Sequence, residues 1–278
     1  MQKQLSGSIH CIGKEKLKMS KLLYASDLDR TLIFSKKFIG EYPTNKKYTP
    51  IEYKGDKVIS YICDEVKDKL VEISNNKNIT FTPVTTRSYE EYNRVNLGFI
   101  PEYAIVANGG MILHNGVVMK EWQDYIMSRF NNKEAMNIII DIEDELTSVD
   151  CDVKIIDSCY LFFKVVSAEL FDIEVMYLRH KYSNWDFVRQ GIKCYAIPKH
   201  FSKQIAVRWL WHKLNKPYIV ASGDGELDLP MLTLADKAVI PSHGSLVQNG
   251  FVLEGTIIDG GISSALETMK IVEDKLNQ

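Results

Sequence analysis

The sequence predicts an α/β protein in which a doubly wound, mostly parallel sheet forms the core and a smaller α+β unit is inserted into it. Three observations predict this class. Short apolar runs recur and end in polar or glycine-rich residues, helical patterns separate several of them, and the middle of the chain follows a different pattern. The apolar runs are Leu22 to Ala25, Ile79 to Val84, Tyr103 to Ala107, Pro217 to Ala221 and Ala238 to Ile240.

Apolar runs of this length are typical of strands that are buried on both faces, as in a parallel sheet. Two patterns between them predict helices. One helix is predicted from about Ser202 to Leu214. The other helix is predicted from an apolar stripe with spacings of three and four, formed by Val58, Ile62, Val66, Leu70 and Ile73. In a doubly wound sheet, the polar residues at the carboxyl ends of the strands form the site.

From about Val117 to Ala196, long helical stretches alternate with β-like runs. The helical stretches extend from Trp122 to about Thr147 and from Ala168 to about Lys181. The β-like runs are Val153 to Ile156, Tyr160 to Val166, Trp185 to Val188 and Cys194 to Ile197. We therefore predict a core domain made of residues 21–116 and 197–278, an inserted α+β domain at 117–196, and a polar tail at 1–20.

Composition and charge exclude several classes of partner. The 278 residues are 45% hydrophobic and 25% charged, with a formal net charge of -2. Lysines and arginines are spread along the chain rather than gathered on a basic face, so we expect no nucleic-acid partner. No apolar run approaches the roughly 20 residues that span a bilayer, so we expect no membrane partner. Five scattered cysteines without a C-x-x-C pair favour reduced thiols and a cytoplasmic location.

The strongest chemical signal is Asp27-Leu28-Asp29-Arg30-Thr31, directly after the first predicted strand. Two carboxylates two residues apart at a strand end can converge on one cation, and oxygen ligands suit Mg²⁺. One carboxylate can then attack phosphorus while the other handles protons. Aspartates are also common in surface turns, so this motif alone leaves both interpretations open.

A second signal lies far along the chain. Gly223-Asp224-Gly225-Glu226-Leu227-Asp228 follows another apolar run and supplies further carboxylates on a glycine-rich turn, where backbone can approach a ligand closely. A strand that ends in DxDxT, with GDxxxD much later, resembles the haloacid dehalogenase (HAD) superfamily. This resemblance implies a Rossmann-like core and phosphatase chemistry.

Two further motifs of that superfamily have counterparts in this sequence, in the expected order. Its strand-closing Thr or Ser matches Thr85, with Thr86 at a position where glycine is common and Arg87 after it. Its helix-opening lysine matches Lys203, which follows Ser202. Alone, Thr85 would also suit a helix cap, and Lys203 an ordinary surface position. Four motifs in order make coincidence a poor explanation.

The chain also resembles the Cof-type, large-cap branch of the superfamily, which includes sucrose-phosphate and mannosylglycerate-phosphate phosphatases. The resemblance rests on the run from Tyr103 to Ala107, on the Asn108-Gly109-Gly110 turn after it, and on an insert where that branch places its cap domain. It covers most of the chain from Lys21 onwards, and it is specific in the core and weak in the cap.

Three features depart from the pattern of that branch. Arg30 stands where glycine is usual, and Leu227 stands where many members have asparagine. The segment from Ile33 to Lys57 is longer than usual. This segment could form a flap over the site, but we favour an ordinary polar loop, since exposed loops tolerate insertion.

The resemblance implies a mechanism. Mg²⁺ is expected to bind Asp27, the backbone carbonyl of Asp29, and Asp224, while Asp228 orients the metal's surroundings. Asp27 would form an aspartyl-phosphate intermediate, and Asp29 would protonate the leaving oxygen and then accept a proton from water. The expected catalytic residues are Asp27, Asp29, Thr85 and Lys203; the expected metal residues are Asp27, Asp29, Asp224 and Asp228; the expected substrate-binding residues are Thr31, Thr86, Arg87, Asn108 and Gly109.

The expected partner is a small phosphorylated metabolite, such as a sugar phosphate, which the cap would select. Arg189 and Lys193 in the cap are further candidates for binding it. The sequence leaves the oligomeric state open between monomer and homodimer. Two alternatives also stay open: a phosphomutase of the same superfamily, and a non-catalytic phospho-ligand sensor, which the unusual Arg30 favours and the complete set of motifs disfavours.

Overall fold

The computed structural model describes residues 21–149 and 152–277. The predicted polar tail at 1–20 lies outside the described residues. Within them, no helix is both long and apolar enough to cross a membrane. Single turns of 3-10 helix lie at Ala107–Gly109 and Glu226–Asp228.

The helices and strands follow one another along three segments of the chain. The first segment contains β1 (Leu22–Ser26), α1 (Lys36–Glu41), β2 (Tyr48–Lys54), β3 (Lys57–Cys63), α2 (Asp64–Asn75), β4 (Ile79–Pro83), α3 (Tyr89–Asn93), β5 (Tyr103–Val106), β6 (Met111–His114) and β7 (Val117–Val118). The middle segment contains α4 (Lys120–Met127), α5 (Asn132–Glu145), β8 (Lys154–Ile156), β9 (Tyr160–Lys164), α6 (Ala168–Lys181), β10 (Trp185–Gln190) and β11 (Lys193–Pro198). The last segment contains α7 (Lys203–Lys213), β12 (Tyr218–Ser222), α8 (Leu229–Leu234), β13 (Lys237–Pro241), α9 (Ser245–Gln248), β14 (Thr256–Ile258) and α10 (Ser264–Leu276).

Five parallel strands form the core sheet in the order β14-β13-β12-β1-β4, which confirms the predicted α/β fold. Its two faces are covered by different helices. Tyr24 of β1 packs with α2 and α10 on one face, while Ala25 packs with α7 and α8 on the other. Ser26 pairs with Ser222 of β12 and with Pro83 of β4, so these strands end level with one another. The residues that follow them are therefore brought to one edge.

The middle segment builds its own antiparallel sheet in the order β10-β11-β9-β8. Residues of α5 and α6 pack against this sheet in a separate apolar cluster that includes Ile138, Phe171 and Phe163. The single long helix predicted from Trp122 to about Thr147 is wrong, because the chain forms α4 and α5 with a break between them. Asn131 accepts a hydrogen bond from the backbone N–H of Glu134 and so starts a new helix. The domain boundaries at 116/117 and 196/197 stay predictions.

The predicted helix with the stripe from Val58 to Ile73 is correct only in its second half. Val66, Leu70 and Ile73 lie in α2, whereas Val58 and Ile62 lie in β3. A spacing of four residues fits a strand as well as a helix, because four is also a multiple of the two-residue strand period. The β-branched and aromatic residues of this run favour the strand.

The expectation of an ordinary polar loop from Ile33 to Lys57 is also wrong. The segment forms α1 and β2, and β2 pairs with β3 as an antiparallel hairpin. Gly55 has φ +60° in the turn, a conformation that glycine adopts without steric cost. The hairpin buries Ile51 and Glu52, so it is part of the packed interior rather than an exposed connection.

The turn after β5 has an unusual backbone that brings it against α7. Ala107, Asn108 and Gly109 have φ values of +49°, +56° and +96°. A Cβ atom on Gly109 would lie 2.3 Å from the carbonyl oxygen of Ser202, the residue that caps α7. The Gly109 carbonyl accepts a hydrogen bond from the Trp122 Nε1–H at 3.0 Å. Glycine at this position thus allows the close contact that fixes the start of α7.

We predict that Gly109→Ala lowers the free energy of unfolding by more than about 3 kcal/mol. A left-handed backbone costs a non-glycine residue about 1–2 kcal/mol, and the clash with Ser202 adds to that cost. Urea unfolding of the variant measures the loss. Gly191→Ala is the matched control, because Gly191 has φ +60° but no atom lies within 4 Å of its added Cβ. Equal losses in the two variants would contradict the proposed clash.

Candidate active site

The two aspartate motifs meet because β1 and β12 are neighbours. The backbone N–H of Asp27 donates to the carbonyl of Ser222 at 2.9 Å. Below it, the hydroxyls of Ser26 and Ser222 lie 2.8 Å apart, and both are buried. Residues almost two hundred positions apart in sequence are thus joined at one edge of the sheet, and the loops that follow both strands face each other.

Three buried carboxylates converge at this edge. Carboxylate oxygens of Asp27, Asp224 and Asp228 all lie within 4.8 Å of one another. Asp228 is held by the turn itself, since its Oδ2 accepts the backbone N–H groups of Asp224 and Gly225 at 3.1 and 3.0 Å. A Cβ on Gly223 would lie 2.5 Å from the Asp228 Cβ, so only glycine permits this approach. Convergent oxygen atoms of this kind can hold a divalent cation.

Lys203 supplies the positive charge among these carboxylates. Its Nζ lies 2.6 Å from an oxygen of Asp27 and 2.6 Å from an oxygen of Asp228, and the side chain is 2% exposed. Ser202 caps α7 and directs its first turn at the site. Burial by itself would lower the pKa of Lys203, but Asp228 and Asp27 outweigh burial and raise it. Lys203 therefore remains charged and offsets the buried negative charge.

The carboxylates themselves have raised pKa values. Burial raises the pKa of Asp27 well above its usual value; Lys203 opposes this shift, and Asp228 and Asp224 add to it. Burial and Asp228 also raise the pKa of Asp224 to about 7, against the effect of Arg30. Strong shifts in a charged cluster at the end of a parallel sheet are typical of functional sites.

Asp29 lies apart from the three converging carboxylates. Arg87 donates from Nε to its Oδ2 at 2.7 Å and from Nη2 to its Oδ1 at 2.8 Å. Burial raises the pKa of Asp29, but the hydrogen bonds and charge of Arg87 outweigh burial, and Lys193 adds to the lowering. The pKa of Asp29 is therefore below its usual value. The expectation that its backbone carbonyl binds a metal stays a prediction.

The other expected substrate residues surround this cluster. The Thr31 hydroxyl is 3.5 Å from Asp27 Oδ2, and the buried Thr85 hydroxyl accepts the backbone N–H of Arg87 at 3.2 Å. The Thr86 carbonyl accepts the Tyr160 hydroxyl at 2.6 Å. Asn108 is buried, and its Oδ1 has no hydrogen-bond partner within the described ranges. Their roles in binding substrate stay predictions.

Arg30 points into the site rather than away from it. Its backbone has φ +60°, which explains why glycine is usual at this position in the superfamily pattern. Its Nε lies 3.1 Å from Asp224 Oδ2, and its Nη2 donates to the carbonyl of His243 at 2.9 Å. The ring of Phe38 lies 5.4 Å from the guanidinium carbon. These contacts offset the cost of the left-handed backbone.

His243 supports Arg30, although it belongs to none of the sequence motifs. The ring is 2% exposed, and its Nδ1 accepts the backbone N–H of Gly261 at 3.0 Å. Its Nε2 therefore carries the proton and donates to the Arg30 carbonyl at 2.7 Å. Burial lowers the pKa of His243 to about 4. The available signal in the sequence was its position just after β13, at the same edge as the aspartates.

The inserted segment contacts the site through several of its residues. The Tyr160 hydroxyl binds the loop after β4, and Asp157 accepts the backbone N–H of Tyr89 at 2.7 Å. A Cβ on Gly225 would lie 2.6 Å from the Gln190 side-chain nitrogen, so β10 also reaches the aspartate turn. Arg189, a suggested substrate residue, pairs with Asp172 at 2.7 Å, and its role in binding substrate stays a prediction.

A known family matches most of the chain. The sequence profile described as sucrose-6F-phosphate phosphohydrolase matches residues 20–246. A sequence search among curated proteins found no match. The family match spans all four motifs from which the resemblance to the HAD superfamily was inferred, and it confirms that resemblance.

Solved structures with the same fold agree with this match. One is the sucrose-phosphatase from Synechocystis sp. PCC6803 in complex with sucrose and phosphate, with a TM-score of 0.64 and 16% identity over 92% of this chain and 99% of that chain. Another is yhjK from Bacillus subtilis, a haloacid dehalogenase-like hydrolase, with a TM-score of 0.57 and 13% identity over 93% and 94%. A third is trehalose-6-phosphate phosphatase from Aspergillus fumigatus, with a TM-score of 0.57 and 12% identity over 91% and 93%. At these identities the likeness shows the fold alone.

We predict that His243 makes the protein less stable at acidic pH. Its folded pKa of about 4 lies below the ordinary value of 6.5. The unfolded chain therefore binds more protons between these values, and the free energy of unfolding falls as pH is lowered through this window, by up to about 3 kcal/mol.

Urea unfolding between pH 7 and 4.5 tests this prediction. His243→Gln should reduce the dependence of the unfolding free energy on pH, even if the variant is less stable at every pH. His180 is exposed on α6, so His180→Gln is the control and should leave the slope unchanged. An unaltered slope in the His243 variant would contradict the assignment of a buried neutral ring.

Proposed function

This chain belongs to the sucrose-6F-phosphate phosphohydrolase family, whose members are phosphoric monoester hydrolases of the HAD superfamily, and we propose that it is a magnesium-dependent phosphatase of a small sugar phosphate. The observation that carries this proposal is the cluster at the sheet edge, in which Lys203 bridges Asp27 and Asp228. The cluster combines a nucleophilic carboxylate, a fixed cation and further carboxylates in one buried place.

The donor set fits Mg²⁺. Asp27, Asp224 and Asp228 offer only carboxylate oxygens, which are the ligands that this ion prefers. Asp27 and Asp224, together with the backbone carbonyl of Asp29, would hold the ion, and Asp228 would orient its surroundings. When bound, Mg²⁺ neutralises negative charge on the phosphate and on the attacking carboxylate.

In the first step, an oxygen of Asp27 attacks phosphorus. A new bond forms between that oxygen and phosphorus, and the bond from phosphorus to the leaving oxygen breaks. Asp29, which must be protonated for this step although Arg87 favours its ionised form, donates a proton to the leaving oxygen. The product alcohol departs and an aspartyl phosphate remains. Asp27 is suited to attack because Thr31 and Lys203 fix its two oxygens.

In the second step, water attacks the phosphorus of the aspartyl phosphate. Asp29, now ionised, takes a proton from that water, and the bond between Asp27 and phosphorus breaks to release inorganic phosphate. Lys203 and the Thr85 hydroxyl stabilise the negative charge of the transferring group in both steps. The site then returns to its starting state, with Asp29 again protonated.

The substrate is proposed to be a sugar phosphate because the family takes its name from sucrose-6F-phosphate. The inserted segment covers the site through Tyr160 and Gln190, and it is the part that would contact the sugar. The unpaired, buried Oδ1 of Asn108 supports its proposed role as an acceptor for a substrate hydroxyl.

We predict that the wild-type protein releases phosphate from para-nitrophenyl phosphate and from at least one sugar phosphate. Asp27→Asn should keep the fold and lose at least about a thousandfold in kcat, because the nucleophile is removed. Asp186→Asn is the control, since Asp186 is an exposed carboxylate of β10. Phosphate release measures kcat, and circular dichroism measures whether each variant keeps the fold.

Activity of Asp27→Asn at the wild-type level would rule out the aspartyl-phosphate mechanism. A folded wild-type protein without activity on the whole panel would contradict the phosphatase proposal. In that case, the protein is incubated with a sugar monophosphate and a sugar bisphosphate. Conversion of the monophosphate to an isomer without release of phosphate would identify a phosphomutase instead.

We also predict that EDTA abolishes activity and that added Mg²⁺ restores it. Asp224→Asn should raise the Mg²⁺ concentration needed for half-maximal activity by at least about tenfold, because loss of a metal ligand weakens binding at least as much as loss of a supporting residue. Isothermal titration with Mg²⁺ alone checks the affinity without turnover. Equal Mg²⁺ affinity in the wild type and in Asp224→Asn would contradict the proposed ligand.

A further inference from the structure

The β2-β3 hairpin places a carboxylate inside the protein beside the active site. Glu52 is 0% exposed, although glutamate is rarely buried without a partner. The register between β2 and β3 shifts on both sides of Glu52, so Ile51 and Glu52 are both buried where a regular strand would alternate. Such bulges re-aim side chains and are frequent next to active sites.

Glu52 is held by three side chains. Its Oε2 accepts the Ser60 hydroxyl at 2.8 Å and lies 2.8 Å from Arg87 Nη1, and its Oε1 accepts Arg94 Nε at 3.3 Å. Arg94 is on the outer side of this group, with 22% of its side chain exposed. Two arginines are therefore paired with Glu52, but only Arg87 also reaches the active site.

Arg87 divides its guanidinium between Glu52 and Asp29. The Nε and Nη2 atoms bind the two oxygens of Asp29, while Nη1 binds Glu52. The remaining contacts are from Nη2 to the Ser60 hydroxyl at 3.3 Å and from Nη1 to the Glu91 carbonyl at 3.5 Å. Together these contacts account for the five N–H groups of the guanidinium. Arg87 is thus committed to the protein rather than left free for a substrate.

We infer that Glu52 is a positioning residue for the phosphatase reaction, acting through Arg87 to fix the orientation of the Asp29 carboxylate. The inference rests on the proposed function, in which Asp29 donates the proton to the leaving oxygen. The side chains that bind Glu52 are Ser60, Arg87 and Arg94, so it acts on Asp29 only through Arg87. In this assignment Arg87, which the sequence suggested as a substrate ligand, serves instead as the link between the hairpin and Asp29.

The geometry gives Glu52 a role that Asp29 and Arg87 cannot fill between them. An arginine paired with one carboxylate can swing with it, because the pair can rotate about both side chains. Glu52 is anchored in the hairpin by Ser60 and Arg94, so it fixes the far side of the guanidinium. The plane of the guanidinium then fixes the plane of the Asp29 carboxylate through two parallel hydrogen bonds. Displacement of a reacting group by about 1 Å can cost about a hundredfold in rate.

The test compares two leaving groups. The oxygen that leaves a sugar phosphate needs a proton, whereas para-nitrophenolate leaves as a stable anion and needs none. A misplaced Asp29 should therefore slow the first reaction more than the second. The value of kcat/KM is the relevant readout, because it reports the steps up to departure of the leaving group and is unaffected by the later hydrolysis of the intermediate.

Glu52→Gln keeps the shape of the side chain and removes the charge that holds Arg87. We expect kcat/KM for the best sugar phosphate to fall about 30- to 100-fold, and kcat/KM for para-nitrophenyl phosphate to fall by no more than about threefold. Glu65→Gln is the matched control. It makes the same change at an exposed glutamate that pairs with Lys46 and touches none of Glu52, Arg87 and Asp29, so both kcat/KM values should stay within about twofold of the wild type.

Removal of a buried charge can prevent folding, so circular dichroism and thermal unfolding accompany each variant. If Glu52→Gln does not fold, Ser60→Ala replaces it, since it removes the hydroxyl that contacts both Glu52 and Arg87. Its expected loss on the sugar phosphate is about fivefold, again with a smaller loss on para-nitrophenyl phosphate. An equal loss on both substrates overturns the inference, as does the absence of any loss.

The outcomes for the inference and for the proposed function are separate. A wild-type enzyme that hydrolyses both substrates, combined with equal kinetics in Glu52→Gln, overturns only the positioning role. A folded wild-type protein that hydrolyses neither substrate overturns the proposed function and the inference together.

Discussion

The active site depends on one buried charge arrangement, in which the ammonium of Lys203 lies 2.6 Å from both Asp27 and Asp228. Three carboxylates could not be gathered at a buried sheet edge without such a cation, because their mutual repulsion and desolvation would be uncompensated. Lys203 reaches them because Ser202 caps α7 there and Gly109 allows the neighbouring turn to approach. Packing of the backbone beside Lys203 thus decides where the positive charge lies.

A second, partly buried network includes the proposed acid and base, Asp29. Glu52, Arg87 and Asp29 form a chain of alternating charges, and Arg94 adds a further cation at its outer end. This chain links the hairpin β2-β3 to the loop after β4, so a segment that differs in length from the usual pattern becomes part of the site's support. Each buried charge in it has a partner of opposite sign, which is the condition for its burial.

Arg30 shows how the fold accommodates a residue that breaks a local rule. Its left-handed backbone is disfavoured for arginine, yet the ring of His243 binds its carbonyl, and its guanidinium binds Asp224 and the carbonyl of His243. The guanidinium also reduces the rise in the pKa of Asp224 that burial and Asp228 cause. The departure from glycine therefore adds a positive charge at the carboxylates proposed to bind metal, without removing any of them.

The amino-acid sequence was sufficient to predict the parallel core, the order of the motifs, the family resemblance and the identity of the clustered aspartates and Lys203, because each of these depends on local spacing at strand ends. It misassigned Val58 and Ile62, since a four-residue spacing fits both periods, and it indicated a loop before Lys57. It could not identify Glu52 or Arg94 as parts of the site, because nothing in their local sequence marks them, and its only signal for His243 was the position of this residue just after a strand. In the folded chain, a strand bulge brings Glu52 to Arg87. The position of β13 beside β12 brings His243 to Arg30. These long-range contacts decide which buried charges are paired.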